Sequence, residues 1–203
     1  MADVVLAGVG GQGNALSARI LAETALLMGY DVKTSGVYGM AQRGGSVICM
    51  VRWAEKVHSR LIAAGKADFL LAFELLEGLR FLGYLGREGT AILNDYRLDP
   101  LPVLRGDAAY PENALDIMRS YAARAVAMDA RSMAAEAGNP QAAGSCMLGA
   151  LSALLDFPGN AWEETLSGLV PPRARDVNPR TFALGRGRAA GCGGAQKEAG
   201  RLD

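Results

Sequence analysis

The feature that most limits how this chain can fold is an apolar segment that runs directly into a cluster of glycines. The segment reads VVLAGVGGQGN, in which Gly8, Gly10 and Gly13 have the spacing G-x-G-x-x-G. The apolar letters predict a buried strand over 3–8, and the apolar periodicity that follows predicts a helix over 15–28. A strand, a glycine turn and a helix in this order are typical of a turn that presents free backbone N–H groups to an anion.

The predicted second strand, over 30–36, argues against a nicotinamide dinucleotide at this turn. Such a site needs an acidic side chain at the end of that strand to hold the ribose hydroxyls. Here the strand ends in the letters KTSG, and Asp31 lies at its start. This does not exclude an NADP site, although no arginine stands there either. Three interpretations are favoured over a nicotinamide site: a phosphate or pyrophosphate from another ligand, the backbone of a partner protein, or a tight strand-to-helix connection that binds nothing.

A second glycine-rich segment, SGVYGMAQRGGSVICMVRW, occupies residues 35–53. We expect a loop over 37–45 that lies on the same rim as the first glycine turn, near the carboxyl ends of the strands. Arg43 would place a cation beside the helix N-terminus, where it could clamp an anion or form a salt bridge with a nearby carboxylate. The predicted binding residues are therefore Gly8, Gly10, Gly11, Gln12, Gly13, Gln42, Arg43 and Gly44.

Strands and helices alternate along most of the chain. Further strands are predicted over 46–53, 67–73, 89–95 and 125–130, with a hairpin from the first of these into 57–62 as one option. Further helices are predicted over 74–85, 111–125, 131–138, 142–157, 160–170 and 178–190. This pattern predicts an α/β fold, a three-layer α/β/α domain with a mainly parallel, Rossmann-like sheet that opens with a parallel, right-handed βαβ unit. A single domain would cover 1–190, with a disordered tail over 191–203.

Composition excludes several classes of function. The chain has 203 residues, with 21 basic and 21 acidic side chains, so no bulk charge attracts it to nucleic acid or to an anionic membrane. A single histidine, His58, excludes a multi-histidine metal site, and Cys49, Cys146 and Cys192 are too scattered for zinc or an iron–sulfur cluster. No apolar run approaches the roughly 18–20 residues of a membrane span. We predict a cytoplasmic protein with no catalytic residue and no metal site of its own.

Several other polar residues have ordinary structural explanations. Glu74 and Glu77, with Arg80 three residues further on, predict an exposed ion pair on one helix face. Ser145 could cap the N-terminus of a buried helix. Cys146 could have a lowered pKa there, although a small buried packing residue is the favoured interpretation. His58 is expected to have a surface or packing role.

Four segments in this order resemble a known family. They are GVGGQGN, GVYGMAQRGGSVICMVR, ADFLLAFELLEGLR, and MLGALSALLDFP with VPPRARDVNPRTFALGR. Together they resemble the gamma-type subunit of 2-oxoacid:ferredoxin oxidoreductases and, among these, the small beta subunit of the indolepyruvate enzymes. The resemblance extends from residue 3 to about residue 188, which is nearly the whole predicted domain.

The resemblance implies an oxidoreductase that decarboxylates a 2-oxoacid on thiamine diphosphate, passes electrons through iron–sulfur clusters to ferredoxin, and transfers the acyl group to coenzyme A. It implies that thiamine diphosphate, Mg and the clusters belong to a large partner subunit, and that ferredoxin is met only indirectly. This chain would be inactive alone and would provide a coenzyme A-side or subunit-docking surface. The alternative is a stand-alone Rossmann-type nucleotide-binding oxidoreductase.

Overall fold

The computed structural model describes residues 1–38 and 44–191, and within them one sheet lies between two layers of helices. The strands are β1 (Ala2–Val9), β2 (Asp31–Tyr38), β3 (Ser46–Ala54), β4 (Ala67–Ala72), β5 (Leu85–Asn94) and β6 (Arg124–Met128). The helices are α1 (Asn14–Leu27), α2 (Leu75–Arg80), α3 (Leu101–Leu104), α4 (Ala114–Tyr121), α5 (Ala130–Glu136), α6 (Ala143–Ser152), α7 (Gly159–Leu169) and α8 (Val177–Gly191). The predicted three-layer α/β/α architecture is confirmed.

Both faces of the sheet are buried, because successive side chains of a strand point to opposite faces. In β1, Val4 and Leu6 pack into the larger hydrophobic cluster, to which α1, α6, α7 and α8 contribute. Val5 and Ala7 pack into a second cluster, on the side of α2 and α4. A strand that is apolar on both faces is typical of a sheet covered by helices on each side.

The order of the strands shows how the first βαβ unit is placed in the sheet. The sheet runs β2-β3-β1-β4-β5-β6, with β1, β4, β5 and β6 parallel and β3 antiparallel to both of its neighbours. Strand β2 therefore has the direction of β1, as the expected parallel βαβ unit requires, and β3 lies between the two. The physical reason is that β3 is apolar on both faces and suits a central position, whereas β2 carries polar, partly exposed residues and suits an edge.

The hairpin of β3 is also different from the one suggested by the sequence. It is formed with β2, not with the segment 57–62, which contains no strand. Arg52 holds that segment against the sheet instead. Its guanidinium donates to the Asp3 carboxylate at 2.7 and 2.9 Å and to the carbonyl oxygens of Ser59 and Leu61 at 3.2 and 2.8 Å.

The helices largely follow the predicted boundaries. Gly29 and Gly138, with φ of 82° and 114°, follow the ends of α1 and α5, as left-handed glycines commonly do after helices. Helix α2 is shorter than predicted, because it ends at Arg80 and gives way to a 3-10 turn. Helix α6 is buried almost all round, as its apolar sequence predicted. The predicted tail lies, apart from Gly191 at the end of α8, outside the described residues.

Helices α6 and α8 approach each other closely because glycines stand at their contact. A Cβ built on Gly149 would overlap the carbonyl oxygen of Phe182, and one built on Gly185 would overlap the carbonyl oxygen of Cys146. Each glycine therefore lets the backbone of one helix rest against the backbone of the other. This contact fixes α6, whose first turn lies beside the glycine turn after β1.

Candidate functional site at the carboxyl ends of the strands

The glycine turn after β1 requires glycine for two different reasons. Gly11 and Gly13 have φ of 100° and 86°, a conformation that other residues rarely adopt. Gly8 has no space for a side chain, because a Cβ there would lie 2.7 Å from Asn14 Nδ2 and 2.8 Å from Phe73 Cβ. Gly13 is also the N-cap of α1 and offers no side-chain acceptor, so the first turn of that helix presents uncapped N–H groups.

Gln12 closes the turn and does not extend toward solvent. Its Oε1 accepts a hydrogen bond from the Val9 N–H at 2.7 Å, and its own N–H donates to the Val9 carbonyl at 3.2 Å. Behind it, the side chain of Asn14 is buried, and neither its Oδ1 nor its Nδ2 has a hydrogen-bond partner among the described residues. Buried polar groups are seldom left unpaired, since each costs about 1–3 kcal/mol.

The second glycine-rich segment lies beside the first, as predicted. The Gly10 N–H donates to the Gly45 carbonyl at 2.8 Å, and the Gly44 N–H donates to the Gly10 carbonyl at 3.4 Å. The reason is the antiparallel pairing of β3 with β1, which places Ser46 opposite Val9. The predicted residues Gly8, Gly10, Gly11, Gln12, Gly13 and Gly44 are therefore on one rim, and Gln42 and Arg43 lie outside the described residues.

A cleft of about 240 Å³ opens at this rim, where four parallel strands end. Its wall combines the glycine turn with residues that follow β4, β5 and β6 and with the start of α6. The lining residues are Gly11, Gln12, Phe73, Asn94, Tyr96, Arg131, Pro140, Gln141 and Ala143. In open α/β sheets this is the edge where ligands bind.

Arg131 brings a positive charge to the cleft. Its guanidinium lies 5.1 Å from the centre of the Tyr96 ring and makes no ion pair with the described residues. Asp129 is close in sequence, but its carboxylate accepts the Ser132 hydroxyl at 2.6 Å and the Ser132 N–H at 2.8 Å. The bond from the Ser132 hydroxyl, and to a smaller extent the bond from the N–H, hold the pKa of Asp129 below its usual value. Arg131 is therefore available to an external anion.

Asn94 joins the elements that form the cleft. Its Nδ2 donates to the carbonyl oxygen of Phe73 at 2.9 Å, and its Oδ1 accepts the Ala130 N–H at 2.9 Å. Asn94 is the last residue of β5, and its side chain thus connects the end of β4 to the start of α5. Because both of its polar ends are held by backbone groups, Asn94 positions Arg131.

The sequence analysis missed Tyr96, Arg131 and Gln141. They come from three separate segments with no shared motif. One signal was present, because Tyr96 and Arg131 each follow a predicted strand within three residues, and the carboxyl ends of parallel strands meet at one edge. That signal identifies many residues in any such fold, so it could not single out these two.

The comparison with known families settles the class of protein. Residues 3–187 match the family described as "Pyruvate ferredoxin/flavodoxin oxidoreductase". The chain belongs to this family. It is also 40% identical, over 190 residues, to the indolepyruvate oxidoreductase subunit IorB of Thermococcus kodakarensis, an alignment that covers 90% of this chain and 93% of that one.

Solved structures of the pyruvate ferredoxin/flavodoxin oxidoreductase family share the fold. The gamma subunit of a keto/oxoacid ferredoxin oxidoreductase from Geobacter sulfurreducens superposes with a TM-score of 0.70 at 23% identity, over 94% of this chain and 99% of that one. A 2-oxoglutarate:ferredoxin oxidoreductase from Magnetococcus marinus, solved with 2-oxoglutarate, coenzyme A and succinyl-CoA, gives 0.71 at 19% identity over 100% of this chain and 33% of the other.

The strand order of this family member also explains why a nicotinamide site does not fit. In a dinucleotide fold the second strand lies next to the first, so that its end reaches the ribose. Here β3 separates them, which places the end of β2 about 9–10 Å from β1. Asp31 is at the other end of β2, where its carboxylate accepts the Val57 N–H at 2.8 Å and this bond lowers its pKa.

Two expectations about polar side chains in this family member are wrong. Glu77 pairs with Arg80 at 3.3 Å, as expected, but Glu74 and Glu77 are both buried and not exposed. Glu74 caps α2 by accepting the Glu77 N–H at 2.9 Å, because the chain folds back over the start of this short helix. Ser145 does not cap α6 either: it lies inside the helix and its hydroxyl donates to Asn178 Oδ1 at 2.5 Å. His58 is exposed, which fits the surface role and not the packing role.

Cys146 is a packing residue in this family member, and the suggestion of a lowered pKa is wrong. The thiol is fully buried against the sulfur atoms of Met128 and Met133, and burial raises its pKa to about 12. A thiol with this pKa is thiolate in only about one molecule in ten thousand at pH 8.

We therefore expect Cys146 to resist alkylation by iodoacetamide in the native protein at pH 8, and to react once the protein is unfolded in guanidinium chloride. Mass spectrometry of the peptide that contains it measures both. Because the thiolate is gained only as pH rises toward 12, raising the pH from 7 to 9 should leave native labelling negligible. Native labelling at the rate of a free thiol would contradict this assignment.

The described residues contain no group of three or more histidine, cysteine, aspartate or glutamate side chains arranged to hold a metal ion. None of the helices in the described part of this family member meets the length and hydropathy required to cross a bilayer.

Proposed function

We propose that this chain is the small subunit of an indolepyruvate-type 2-oxoacid:ferredoxin oxidoreductase and that its cleft binds coenzyme A where the two subunits meet. Thiamine diphosphate, Mg and the iron–sulfur clusters belong to the larger subunit, which passes electrons to ferredoxin. The substrate would be indolepyruvate or a related aryl pyruvate, in line with the name of the Thermococcus relative. The scattered cysteines suit a cytoplasmic enzyme.

The observation that carries the coenzyme A assignment is the guanidinium of Arg131, which has no ion pair among the described residues, in a cleft lined also by Gly11 and Gln12, the residues that lead into the uncapped N-terminus of α1. Coenzyme A carries phosphates, and both features attract anions. The Tyr96 ring, beside the same arginine, offers a flat apolar surface. Arg131 is thus a candidate, among the described residues, for the anion-binding role that the sequence suggested for Arg43.

Asn14 supports a ligand that contains amide groups. Within the described part of the chain its carboxamide has both a donor and an acceptor without partners, and an amide offers the complementary acceptor and donor. The pantetheine arm of coenzyme A contains amides, and so does a peptide of the larger subunit. The side chains of Gln12, Phe73 and Asn14 all lie beside Gly8. A ligand would therefore reach Asn14 by displacing the Gln12 side chain.

Replacing Arg131 tests the proposal. In the co-expressed two-subunit enzyme, Arg131→Ala should raise the KM for coenzyme A about 10- to 100-fold, because a hydrogen bond to a charged group contributes about 1.5–3 kcal/mol. The KM for the 2-oxoacid should stay unchanged. The measurement is 2-oxoacid-dependent reduction of viologen at varied coenzyme A concentration.

Arg87→Ala is the matched control, because Arg87 is exposed near the amino end of β5, on the opposite edge of the sheet. It should leave the KM for coenzyme A unaffected. If Arg131→Ala also has no effect, the cleft contacts only protein and the chain is a scaffold. The isolated chain should reduce no viologen, and tight binding of NAD or NADP to it would favour the stand-alone alternative.

A further inference from the structure

A second concave surface lies on the other side of the glycine turn and has a different chemical character. It encloses about 380 Å³ and reaches Val9 and Gly44, so it borders the rim described above. We define it as the acidic leucine pocket by six of its lining residues: Glu74, Glu77, Asp99, Leu98, Leu101 and Leu104.

The leucines of this pocket are exposed to solvent. Leu101 and Leu104 are 64% and 68% exposed, and Leu98 is 39% exposed. Leu101 and Leu104 stand three residues apart in the short helix α3, so they project from the same side of it. Single exposed leucines are common, but three around one pocket are typical of an interaction surface.

The charges of the pocket are unbalanced. Glu74, 1% exposed, accepts hydrogen bonds from Tyr110 Oη at 2.6 Å, from the Leu98 N–H at 3.1 Å and from the Glu77 N–H, all neutral donors. Glu77 accepts from the Ser46 hydroxyl and pairs with Arg80 at 3.3 Å.

Asp99 is the third carboxylate, and the arginine that it pairs with also pairs with a further carboxylate. Arg97 contacts Asp99 at 2.6 Å and Glu112 at 2.8 Å. Counting Glu74, which has no ion pair among the described residues, four carboxylates in this region stand against two guanidinium groups, which leaves two formal negative charges among them. None of the residues that line the pocket, within the described part of the chain, is basic.

We propose that the acidic leucine pocket is a docking site for the larger subunit and that it receives an apolar segment carrying an arginine or lysine. The leucines match an apolar surface, and the excess negative charge matches a cation. The pocket continues from the glycine-turn rim, so one partner surface could cover both. This inference rests on the proposed assembly with a larger subunit, but not on the assignment of coenzyme A.

The experiment measures assembly of the two purified subunits without coenzyme A. The double variant Leu101→Asp/Leu104→Asp should weaken the Kd at least about 10-fold, the size expected for an anchor of an interface. Leu61→Asp is the matched control. Leu61 is 59% exposed and lies near Arg52 and Asp3, at the amino end of β1. The Kd of this variant for the larger subunit should therefore stay at the wild-type value. Thermal unfolding of each isolated variant checks that the chain is folded.

A second variant tests the charge. Glu74→Gln keeps the shape of the side chain and should weaken the Kd several-fold and make it less dependent on salt, since one ionic attraction is removed. An unchanged salt dependence would overturn the basic character of the partner segment.

Three results would overturn the docking site itself. The first two are wild-type affinity in the double leucine variant and an equal loss of affinity in Leu61→Asp. The third is self-association of the isolated chain that the double variant abolishes, because self-association would assign the pocket to a second copy. A wild-type chain that does not bind the larger subunit at all would instead contradict the proposed function.

Discussion

Gly185→Ala should destabilise the protein, and Gly187→Ala, two residues further along the same helix, should stabilise it. A Cβ on Gly185 would overlap the carbonyl oxygen of Cys146, which is backbone and cannot rotate away, so α6 and α8 would have to separate. A Cβ on Gly187 would meet none of the described residues within 4 Å. The two substitutions are chemically identical and differ only in what surrounds them.

We expect the free energy of unfolding to fall by about 2–3 kcal/mol in Gly185→Ala, since overpacking of a core commonly costs about 1–3 kcal/mol and the obstacle here is rigid. In a domain of this size that lowers Tm by roughly 5–10 °C. Gly187→Ala should gain up to about 1 kcal/mol, because alanine is a better helix former than glycine. Differential scanning calorimetry compares the two, and equal Tm values would show that the helices do not pack as closely as described.

Gly8→Ala should disrupt the candidate site from within. The added methyl group would lie 2.7 Å from Asn14 Nδ2 and from Gln12 Oε1 and 2.8 Å from Phe73 Cβ. The side chains of Gln12 and Asn14 can move, but Phe73 continues from the end of β4, where its N–H donates to the Ala7 carbonyl at 2.8 Å. The turn would therefore shift and lose the bond between Gln12 and Val9.

In the assembled enzyme we expect Gly8→Ala to lower coenzyme A-dependent turnover about 10- to 100-fold, because a displacement of about 1 Å near reacting groups can cost about 100-fold. Steady-state viologen reduction at saturating 2-oxoacid measures this loss. Gly83→Ala is the control, since a Cβ there meets nothing within 4 Å and the residue has no positive φ. Unchanged turnover in Gly8→Ala would mean that the glycine turn takes no part in forming the site.

The sequence was sufficient where one short segment fixes the local structure. The G-x-G-x-x-G spacing located the turn at Gly8–Gly13, because Gly11 and Gly13 adopt conformations that favour glycine and the Gly8 position has no room for a Cβ. The apolar character of α6 predicted a helix buried all round. The four ordered segments identified the family, which the match over 3–187 confirmed.

Only the tertiary structure decided how these segments meet. The placement of β3 between β1 and β2 depends on pairing between distant strands, and local periodicity carries no information about which strands pair. Tyr96 and Arg131 are 35 positions apart in the numbering and face one cleft only because β5 and β6 are parallel neighbours. Glu74 is buried because Tyr110 and the Leu98 N–H reach it from later in the chain. Spacing along a chain determines local conformation, whereas burial, charge balance and the shape of a site follow from contacts that form only when the whole sheet has assembled.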